Sequence, residues 1–443
     1  MMQVLVWNDL DADAQTAVLA RPQYTVDADL HCAVSDILAA VRTRGDAAIR
    51  EYTARFDGVS LTDLKVPPAD LQAAWANLPS ADKAAMETAK ANIEKFHKRQ
   101  IPKAFEVETM PGVLCRREPR AIESVGLYVP GGRAPLVSTL MMLAIPAKIA
   151  GVSKPVITTP PGNDGTVNQS ILAAAHLCGI PDLYAVGGAQ AIAALSYGTN
   201  SIAKCAKIFG PGNAYVAQAK AQVSAAIGGP AIDLPAGPSE AMVLADDKAN
   251  PVFVAADLLS QAEHDPMAQV ICVCSSQTFA DLLNSEISQQ LSNLPRQDIA
   301  RQALENGRII IAPKTKHMLD ITNTYAPEHL IVQIQNPETI LPDIQNAGSV
   351  FLGPWTPEAV GDYASGTNHT LPTFGAARAY SGVGVESFMK YITVQTLTRS
   401  GLAAIAPCVE RLANMEGLEA HRRAVSLRLT NAEASGETSG ETS

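Results

Sequence analysis

The sequence predicts an α/β protein built on two open, mostly parallel sheets with helices packed on them. Between residues 122 and 198, strand-like runs such as IESVGLYVP and KPVITTPP alternate with apolar helices. This spacing is typical of a parallel sheet with crossover helices. The alternation returns in AQVICVCSS (268–276), QTFADLLNSEISQQLSNL (277–294) and GRIIIAP (307–313). Two units of similar style favour two Rossmann-like domains with a cleft between them.

The segments that flank these units are predicted to be mostly helical. Residues 70–100 carry apolar residues three to four positions apart, with Ser80 as a candidate helix N-cap. Residues from about 384 to 430 are also predicted to be helical, and they include the amphipathic run ERLANMEGLEAHRRAVSLRL. The tail ASGETSGETS has low complexity and is predicted to be disordered.

The composition bounds the class of protein. A chain of 443 residues has room for two to four domains, and 47% hydrophobic against 18% charged residues is typical of a globular protein with a large core. A net charge of −10 without a basic run argues against nucleic acid as a partner. Because neither a leader-like segment nor a sufficiently long apolar run occurs, we expect a cytoplasmic protein without membrane contact.

The cysteines predict free thiols. There are seven, the number is odd, and the spacing is scattered without a C-x-x-C pair. Most have apolar neighbours, so we expect buried free thiols rather than disulfides, a zinc knuckle or a catalytic thiol.

Three glycine turns follow strand-like runs in the first unit: YVPGG (128–132), VGGAQ (186–190) and FGPGN (209–213). Glycine lets the backbone approach a ligand closely, and N–H groups at a helix start can hold anions. None is the G-x-G-x-x-G fingerprint, and each alone is more typical of a tight turn. Three turns in one unit favour a ligand site. The loop DLPAGPSE (233–240), which contains Ser239, is either a domain crossover or part of the cleft wall.

Four of the eight histidines lie beside acidic residues or in polar loops. In DLLSQAEHDP, Gln261 and His264 are three positions apart, so on a helix they share a face. Zinc binds histidine nitrogen readily, but a solvated helix end has the same pattern. GDYASGTNH, with Asp362 and His369, has the composition of a functional loop or of a merely solvated one.

Two further pairs combine a glutamate with a histidine. YAPEHLIV places Glu328 and His329 side by side before an apolar run. This pattern is typical either of a general acid/base pair or of a charged strand edge without a function. NMEGLEAHR places Glu416 and His421 about 140° apart around a helix, so they could share a site only if Gly417 breaks that helix. The alternative is a solvated surface. Spacing alone does not show that the four histidines converge.

Taken in order, these motifs resemble the histidinol dehydrogenase family, the zinc- and NAD-dependent enzymes that complete histidine biosynthesis. The resemblance runs from about residue 20 to about residue 430. The matching segments are VGLYVPGG, VGGAQAIAAL, KIFGPGNAYV, IDLPAGPSE, DLLSQAEHDP, YAPEHL, AGSVFLGPWTPEAVGDYASGTNHTLPT and EGLEAHR. It implies oxidation of L-histidinol to L-histidine through the aldehyde, with two NAD⁺ consumed.

The resemblance also implies a role for each motif residue. The expected zinc ligands, for one ion per subunit, are Gln261, His264, Asp362 and His421. The last ligand would come from the partner in a homodimer whose C-terminal segments are exchanged. The expected NAD⁺ contacts are Tyr128, Gln190 and Asn213. L-Histidinol is expected to contact the zinc ligands and His329. Its further expected contacts are Ser239, His369 and Glu416.

The same resemblance implies how the acid/base pair works. His329 would accept the alcohol proton while hydride leaves to NAD⁺, and it would accept a proton again in the second oxidation. Glu328 would activate the water that attacks the aldehyde. Imidazole suits proton transfer because its pKa lies near neutrality. The zinc would hold the imidazole and amino nitrogens of the substrate.

The predicted domain organisation has five parts. They are an N-terminal helical segment (1–22), an α/β domain with the metal and catalytic residues (23–126 plus 239–383), a Rossmann-like cofactor domain (127–238), the dimer-exchange segment (384–431) and a disordered tail (432–443).

Two other hypotheses stay open on the sequence. One is a related zinc- and NAD-dependent dehydrogenase that acts on another amino alcohol or on a sulfonated alcohol. The other is a two-domain α/β binding protein whose cleft holds a small ligand. The binding protein would need neither the Glu328–His329 pair nor a metal.

Overall fold

A computed structural model describes residues 1–22, 28–131, 135–234 and 237–434. The strands are β1 (Gln3–Val6), β2 (Phe105–Met110), β3 (Val113–Ala121), β4 (Ser124–Tyr128), β5 (Lys154–Thr159), β6 (Leu183–Ala185), β7 (Lys207–Phe209), β8 (Ala231–Ile232), β9 (Glu240–Ala245), β10 (Gln269–Cys274), β11 (Arg308–Ile311), β12 (His329–Gln333), β13 (Ser349–Leu352) and β14 (Met389–Leu397). The helices are α1 (Ala12–Val18), α2 (Ala28–Arg44), α3 (Asp46–Phe56), α4 (Pro68–Asn77), α5 (Ser80–His97), α6 (Val137–Ala150), α7 (Gln169–Cys178), α8 (Gly188–Tyr197), α9 (Ala214–Ala225), α10 (Pro251–Ala262), α11 (Gln277–Leu291), α12 (Gln297–Glu305), α13 (Thr315–Tyr325), α14 (Glu358–Tyr363), α15 (Arg399–Met415) and α16 (Glu419–Ala434).

A five-stranded sheet lies in the order β6-β5-β4-β7-β8, and all of its pairs are parallel. Counted along the chain from β4, this is the order 3-2-1-4-5. The order therefore reverses between β4 and β7, which is the place where open α/β sheets bind ligands. Helix α6 is buried along most of its length because its residues are almost all apolar.

A six-stranded sheet lies in the order β1-β11-β10-β9-β12-β13, again with every pair parallel. Without β1, the order from β9 is also 3-2-1-4-5. Strands β9, β10 and β12 are buried along their whole length, as expected of parallel strands covered by helices on both faces. The two predicted parallel sheets are confirmed.

The helices before residue 101 do not form one continuous element over 70–100. Helix α4 ends before Leu78, and α5 begins at Ser80 with Pro79 at its N-cap position. The proline disfavours helical backbone at the residue before it. Apolar residues of α2 to α5 pack into the cores around the five-stranded sheet. The predicted grouping of residues 23–126 with 239–383, and the other domain boundaries, stay predictions.

The chain divides into two units, and the second comprises residues 102–121 and the part from residue 389 onward. Here β3 pairs antiparallel with both β2 and β14, the latter from Met389 opposite Ala121 to Leu397 opposite Val113. Helices α15 and α16 follow. The prediction that residues 384–430 are helical was therefore wrong for β14. Its run KYITVQT is rich in β-branched and aromatic residues, which is a strand signal.

The structure also differs from the predictions for the two ends of the described chain. The N-terminal segment was predicted to be helical, and the tail was predicted to be disordered. Residues 1–22 contain helix α1, but they begin with strand β1 at the edge of the six-stranded sheet. Of the predicted tail, residues 432–434 continue α16, and residues 435–443 lie outside the described residues.

The seven cysteines all lie in described ranges and are free thiols, as predicted. Four of them are buried, whereas Cys32 and Cys408 are exposed. Within the described ranges, none of the helices has the length and apolar character needed to cross a membrane.

Candidate active site

Glu328 and His329 lie at the amino end of strand β12. Helix α13 ends at Tyr325, and Ala326 adopts a left-handed backbone (φ 56°) that turns the chain toward the sheet. His329 is the first residue of β12, which runs between β9 and β13. Because the strand is central, both side chains are buried, with 6% exposure for Glu328 and 4% for His329. A solvated strand edge is therefore excluded.

The main chain of Glu240 holds both side chains. Glu240 opens the neighbouring strand β9, and its N–H donates to Glu328 Oε2 at 2.8 Å. Its carbonyl oxygen lies 3.1 Å from His329 Nδ1. A carbonyl only accepts, so Nδ1 carries the proton and a neutral imidazole has its lone pair on Nε2. The sheet therefore fixes the tautomer of His329.

The Nε2 atom of His329 has no hydrogen-bond partner among the described residues. It lies 3.6 Å from Asp362 Oδ1, and Nδ1 lies 3.9 Å from Glu358 Oε1. Glu358 begins helix α14, is fully buried, and accepts a hydrogen bond from the Ser260 hydroxyl at 3.4 Å. Three carboxyl groups thus surround one imidazole.

This crowding shifts the titration of the cluster. Burial raises the pKa of Glu328 to about 8 and that of Glu358 to about 7. Burial opposes the charged form of His329, but the carboxylates of Glu328, Glu358 and Asp362 outweigh it and raise its pKa to about 10. These three carboxylates hold the proton on His329. A cation bound beside Asp362 would offset their charge and lower the pKa of His329 toward the range in which the ring can accept a proton.

The residues of the site also fit a metal ion. Gln261 lies in the last turn of α10, is 1% exposed, and its Oε1 has no hydrogen-bond partner among the described residues. His264, just beyond the helix, is exposed and interacts electrostatically with Asp362. An amide oxygen, an imidazole and a carboxylate are suitable zinc ligands. The ligand atoms of His329, Glu358 and Asp362 also lie within 4.8 Å of one another.

The loop with His369 reaches the same region. His369 Nδ1 lies 2.9 Å from the carbonyl oxygen of Asp362, and Nε2 lies 3.1 Å from Thr139 Oγ1. Thr139 belongs to α6, the helix that follows β4 of the five-stranded sheet. The cluster of Glu328, His329, Glu358 and Asp362 lies at the amino end of the six-stranded sheet. It is therefore near the carboxyl end of the five-stranded sheet. Ser239 directly precedes β9, at the same end as Glu240.

Tyr128 connects the three glycine turns. It ends β4, and its hydroxyl accepts a hydrogen bond from Gly188 N at 3.3 Å. A Cβ at Gly210, where φ is 113°, would overlap the Tyr128 carbonyl oxygen, so only glycine permits this contact. Burial raises the pKa of Tyr128 to about 12, so the hydroxyl stays protonated. The turns after β4, β6 and β7 thus meet at one end of the sheet.

Two polar side chains in these turns are placed for a ligand. Gln190, in the first turn of α8, is 1% exposed, and its Oε1 has no hydrogen-bond partner in the described part of the chain. Asn213 caps α9 by accepting from Val216 N at 3.2 Å. A buried amide oxygen without a partner is costly, and a ligand N–H would satisfy it.

The comparisons with known proteins agree along the whole chain. The family model described as histidinol dehydrogenase matches residues 19–429. A histidinol dehydrogenase of Vibrio parahaemolyticus is 51% identical over 428 residues, covering 97% of this chain and 98% of that protein. A histidinol dehydrogenase of Yersinia pestis is 50% identical over 424 residues, covering 96% of this chain and 95% of that protein. The crystal structure of histidinol dehydrogenase from Elizabethkingia anophelis has a TM-score of 0.94, 45% identity, and covers 98% of this chain and 99% of that chain.

The chain belongs to the histidinol dehydrogenase family. The resemblance predicted from the motifs is confirmed.

Two residues that the family resemblance assigns to the site lie in the second unit. Glu416 caps the end of α15, and His421 lies in the first turn of α16. Gly417 adopts a left-handed backbone (φ 71°) and separates the two helices, which is the helix break that the sequence left open. Both side chains are exposed in the single chain. Their roles in the site stay predictions.

Sequence reasoning missed Glu240 and Glu358. Glu358 precedes Asp362 by four residues, so in a helical segment the two share a face, and this spacing could have revealed it. No comparable local signal exists for Glu240. Its contacts with Glu328 and His329 depend on the pairing of β9 with β12, which lie far apart in the sequence.

Proposed function

We propose that this protein oxidises L-histidinol to L-histidine through L-histidinaldehyde, with reduction of two NAD⁺. The observation that carries the proposal is the buried Glu328–His329 pair, held by one main-chain unit beside Asp362. Family membership supports the substrate. A cytoplasmic location, expected from the sequence, goes with this role.

His329 acts as the base of both oxidations. Its Nδ1–H is held by the Glu240 carbonyl, so Nε2 is the atom that accepts the alcohol proton as hydride leaves to NAD⁺. After water has added to the aldehyde, the same atom accepts a proton in the second oxidation. General-base assistance contributes roughly 10²–10⁴-fold to each step.

Glu328 activates the water between the two oxidations. One carboxylate oxygen is bound to Glu240 N–H, and we assign the other to the water. A carboxyl group with a pKa near 8 is a stronger base, once ionised, than an ordinary glutamate. The ionised fraction of Glu328, which is the form that abstracts the proton, therefore grows as the pH rises toward 8.

The metal ligands of the proposal are Gln261, His264, Asp362 and the partner subunit's His421. A zinc ion bound there, one per subunit, would supply a template and a Lewis acid for the substrate nitrogens. The unpartnered Oε1 of Gln261 supports this assignment. The exposed Glu416 and His421 are consistent with a homodimer in which each C-terminal segment completes the site of the other chain. Further substrate contacts are Ser239 and His369, with the partner subunit's Glu416.

The NAD⁺ contacts of the proposal are Tyr128, Gln190 and Asn213. The free Oε1 of Gln190 would accept an N–H of the cofactor. The sequence lacks the G-x-G-x-x-G loop that presents main-chain N–H groups to a pyrophosphate. We therefore expect weak binding, so that NADH leaves and a second NAD⁺ enters between the half-reactions. NADH retained through the whole turnover would contradict this.

The test is the stoichiometry of NADH formed per L-histidinol in excess NAD⁺, with and without a chelator. The proposal expects two NADH, loss of activity on chelation, and recovery with zinc. One NADH with accumulating aldehyde would contradict the role of Glu328. No NADH from L-histidinol, together with turnover of another amino alcohol or a sulfonated alcohol, would favour a related dehydrogenase instead.

A further inference from the structure

We infer that Arg21 and Glu240 form a positioning pair that sets the geometry of Glu328 and His329. The inference deepens the proposed function, since it assigns a role to two residues outside the acid/base pair. Neither is expected to touch substrate or cofactor.

The Arg21–Glu240 contact is bidentate. Arg21 Nε pairs with Glu240 Oε1, and Nη2 donates to Oε2 at 2.9 Å. The Glu240 side chain is 2% exposed and that of Arg21 is 13% exposed. A second donor, the N–H of Phe374, binds Glu240 Oε1 at 2.9 Å. Such a fork fixes both the distance and the plane of the carboxylate.

Arg21 also holds the turn that leads into the catalytic pair. Its Nη2 donates to the Tyr325 carbonyl at 2.8 Å, and its guanidinium lies 4.0 Å from the centre of the Tyr325 ring. The left-handed turn at Ala326 follows directly, and Glu328 comes two residues later. One guanidinium therefore connects the start of β9 to the end of α13, four residues before β12 begins.

The main chain of Glu240 links its side chain to the catalytic pair. Its N–H binds Glu328, and its carbonyl oxygen binds His329. Its side chain is the part that Arg21 restrains. If the restraint is lost, both main-chain groups can shift together, and a misplacement of about 1 Å in an active site can cost roughly 100-fold in rate.

The competing explanation is that the pair only stabilises the fold. Removing one partner of a buried ion pair destabilises a protein because a buried charge is left alone, whereas removing both partners is often tolerated. The single variants Arg21→Met and Glu240→Gln should therefore lower Tm, and the double variant should recover much of it.

The experiment measures kcat, KM and Tm of the two single variants and the double variant. We expect kcat to fall about 10- to 100-fold in all three, with KM values for L-histidinol and NAD⁺ nearly unchanged. Arg21→Lys, which keeps the charge but not the fork, should lie in between. Recovery of kcat together with Tm in the double variant would overturn the inference.

Arg378→Met is the matched control. Arg378 donates to the carbonyl of Thr324, one residue before Tyr325, but it is exposed and has no bond to Glu240 among the described residues. Its loss should leave kcat unchanged. An equal loss of kcat in this control would indicate a general effect of the α13 end and would overturn the inference.

A readout independent of activity separates this inference from the proposed function. The Glu240 amide is protected by its bond to Glu328, so its hydrogen exchange should accelerate about tenfold or more in the double variant but not in Arg378→Met. Unchanged exchange would overturn the inference. A wild-type protein inactive on L-histidinol would instead contradict the proposed function, whatever the exchange shows.

Discussion

At the scale of the residue, His329 shows how a strand fixes the two ring nitrogens of a buried histidine. One ring nitrogen is bound to the main chain of the neighbouring strand, and the other faces Asp362. The sequence supplied the neighbouring Glu328 and His329 as candidates, but a solvated edge remained possible. The burial of both side chains at a strand inside the sheet excludes the solvated edge. Burial depends on the order of strands in the sheet, and the eight residues YAPEHLIV carry no information about that order.

Glu328→Gln should separate the two half-reactions. The amide can still accept the Glu240 N–H, but it cannot take a proton from water. We expect oxidation of L-histidinol to begin and the aldehyde step to slow about 10²–10⁴-fold. Single-turnover measurement of NADH and of free aldehyde tests this. The exposed Glu338→Gln is the control, and two NADH at the normal rate from Glu328→Gln would refute the assignment.

Asp57→Asn should stabilise the protein at neutral but not at acidic pH. Burial raises the pKa of Asp57 from 3.8 to about 6, and its Oδ2 has no partner among the described residues. The carboxylate also sits at the C-cap of α3, near the negative end of the helix dipole. Ionisation therefore costs more in the folded than in the unfolded chain.

The sign of this effect sets its pH window. The destabilisation is absent below pH 3.8, grows as the pH rises, and is complete above about pH 6. Thermal unfolding should show a higher Tm for Asp57→Asn than for wild type at pH 7.5 and a difference near zero at pH 4. The exposed Asp63→Asn is the control. A Tm gain of equal size at both pH values would contradict the explanation.

At the scale of the element, most of the candidate site residues lie in turns and at helix ends. The parallel strands and the three glycine turns could be predicted because apolar runs and glycines are local signals. Strands β2, β3 and β14 were missed because the antiparallel sheet is largely exposed and its members come from distant parts of the chain. The alternation of FEVETM in β2 and the β-branched run of β14 were visible. They were outweighed by the helical segments around them.

The turn between β7 and α9 depends on a buried ion pair. Lys220 Nζ binds Asp233 at 2.5 Å and the Gly210 carbonyl at 2.9 Å, while Asp233 accepts from Gly210 N at 2.7 Å. Lys220→Met should cost roughly 3–5 kcal/mol in the free energy of unfolding and raise the KM for NAD⁺, because Asn213 follows this turn. Denaturant titration and steady-state kinetics test both effects. Exposed Lys148→Met should change neither.

The end of α10 is predicted to bind the metal through Gln261. Gln261→Leu keeps the size of the side chain but removes the unpartnered oxygen. We expect zinc affinity to fall about 10-fold or more, with Tm of the metal-free protein unchanged or higher because a buried polar atom is removed. Zinc titration with a competing chelator measures this. Exposed Gln277→Leu is the control, and unchanged affinity in Gln261→Leu would refute the ligand.

At the scale of the whole molecule, the sequence predicted the two α/β units but not how they share a site. The hydrogen bond between Thr139 and His369 joins segments that are 230 positions apart. Local patterns carry no information about such pairings. The assignment of Glu416 and His421 came from the family resemblance alone, which implies that they complete the site of a partner subunit.

Subunit mixing tests the exchange of C-terminal segments. Glu328→Gln and His421→Ala subunits, each nearly inactive alone, should regain about a quarter of wild-type activity when mixed at random, since half of the dimers would contain one intact site. Mixing Glu328→Gln with His264→Ala, which alter the same side of the site, should restore nothing. Equal results for the two mixtures would refute the exchange.

The pairing of β1 with β11 has a consequence for synthesis on the ribosome. β11 follows β1 by about 300 residues, so at about 5–20 residues per second the first strand waits roughly 15–60 s for its neighbour. Arg21 waits likewise for Glu240. The strands of the five-stranded sheet all lie between residues 124 and 232, so that sheet can form while translation continues. In the nascent chain, the five-stranded sheet should therefore form first and the six-stranded sheet, with Glu328 and His329, last.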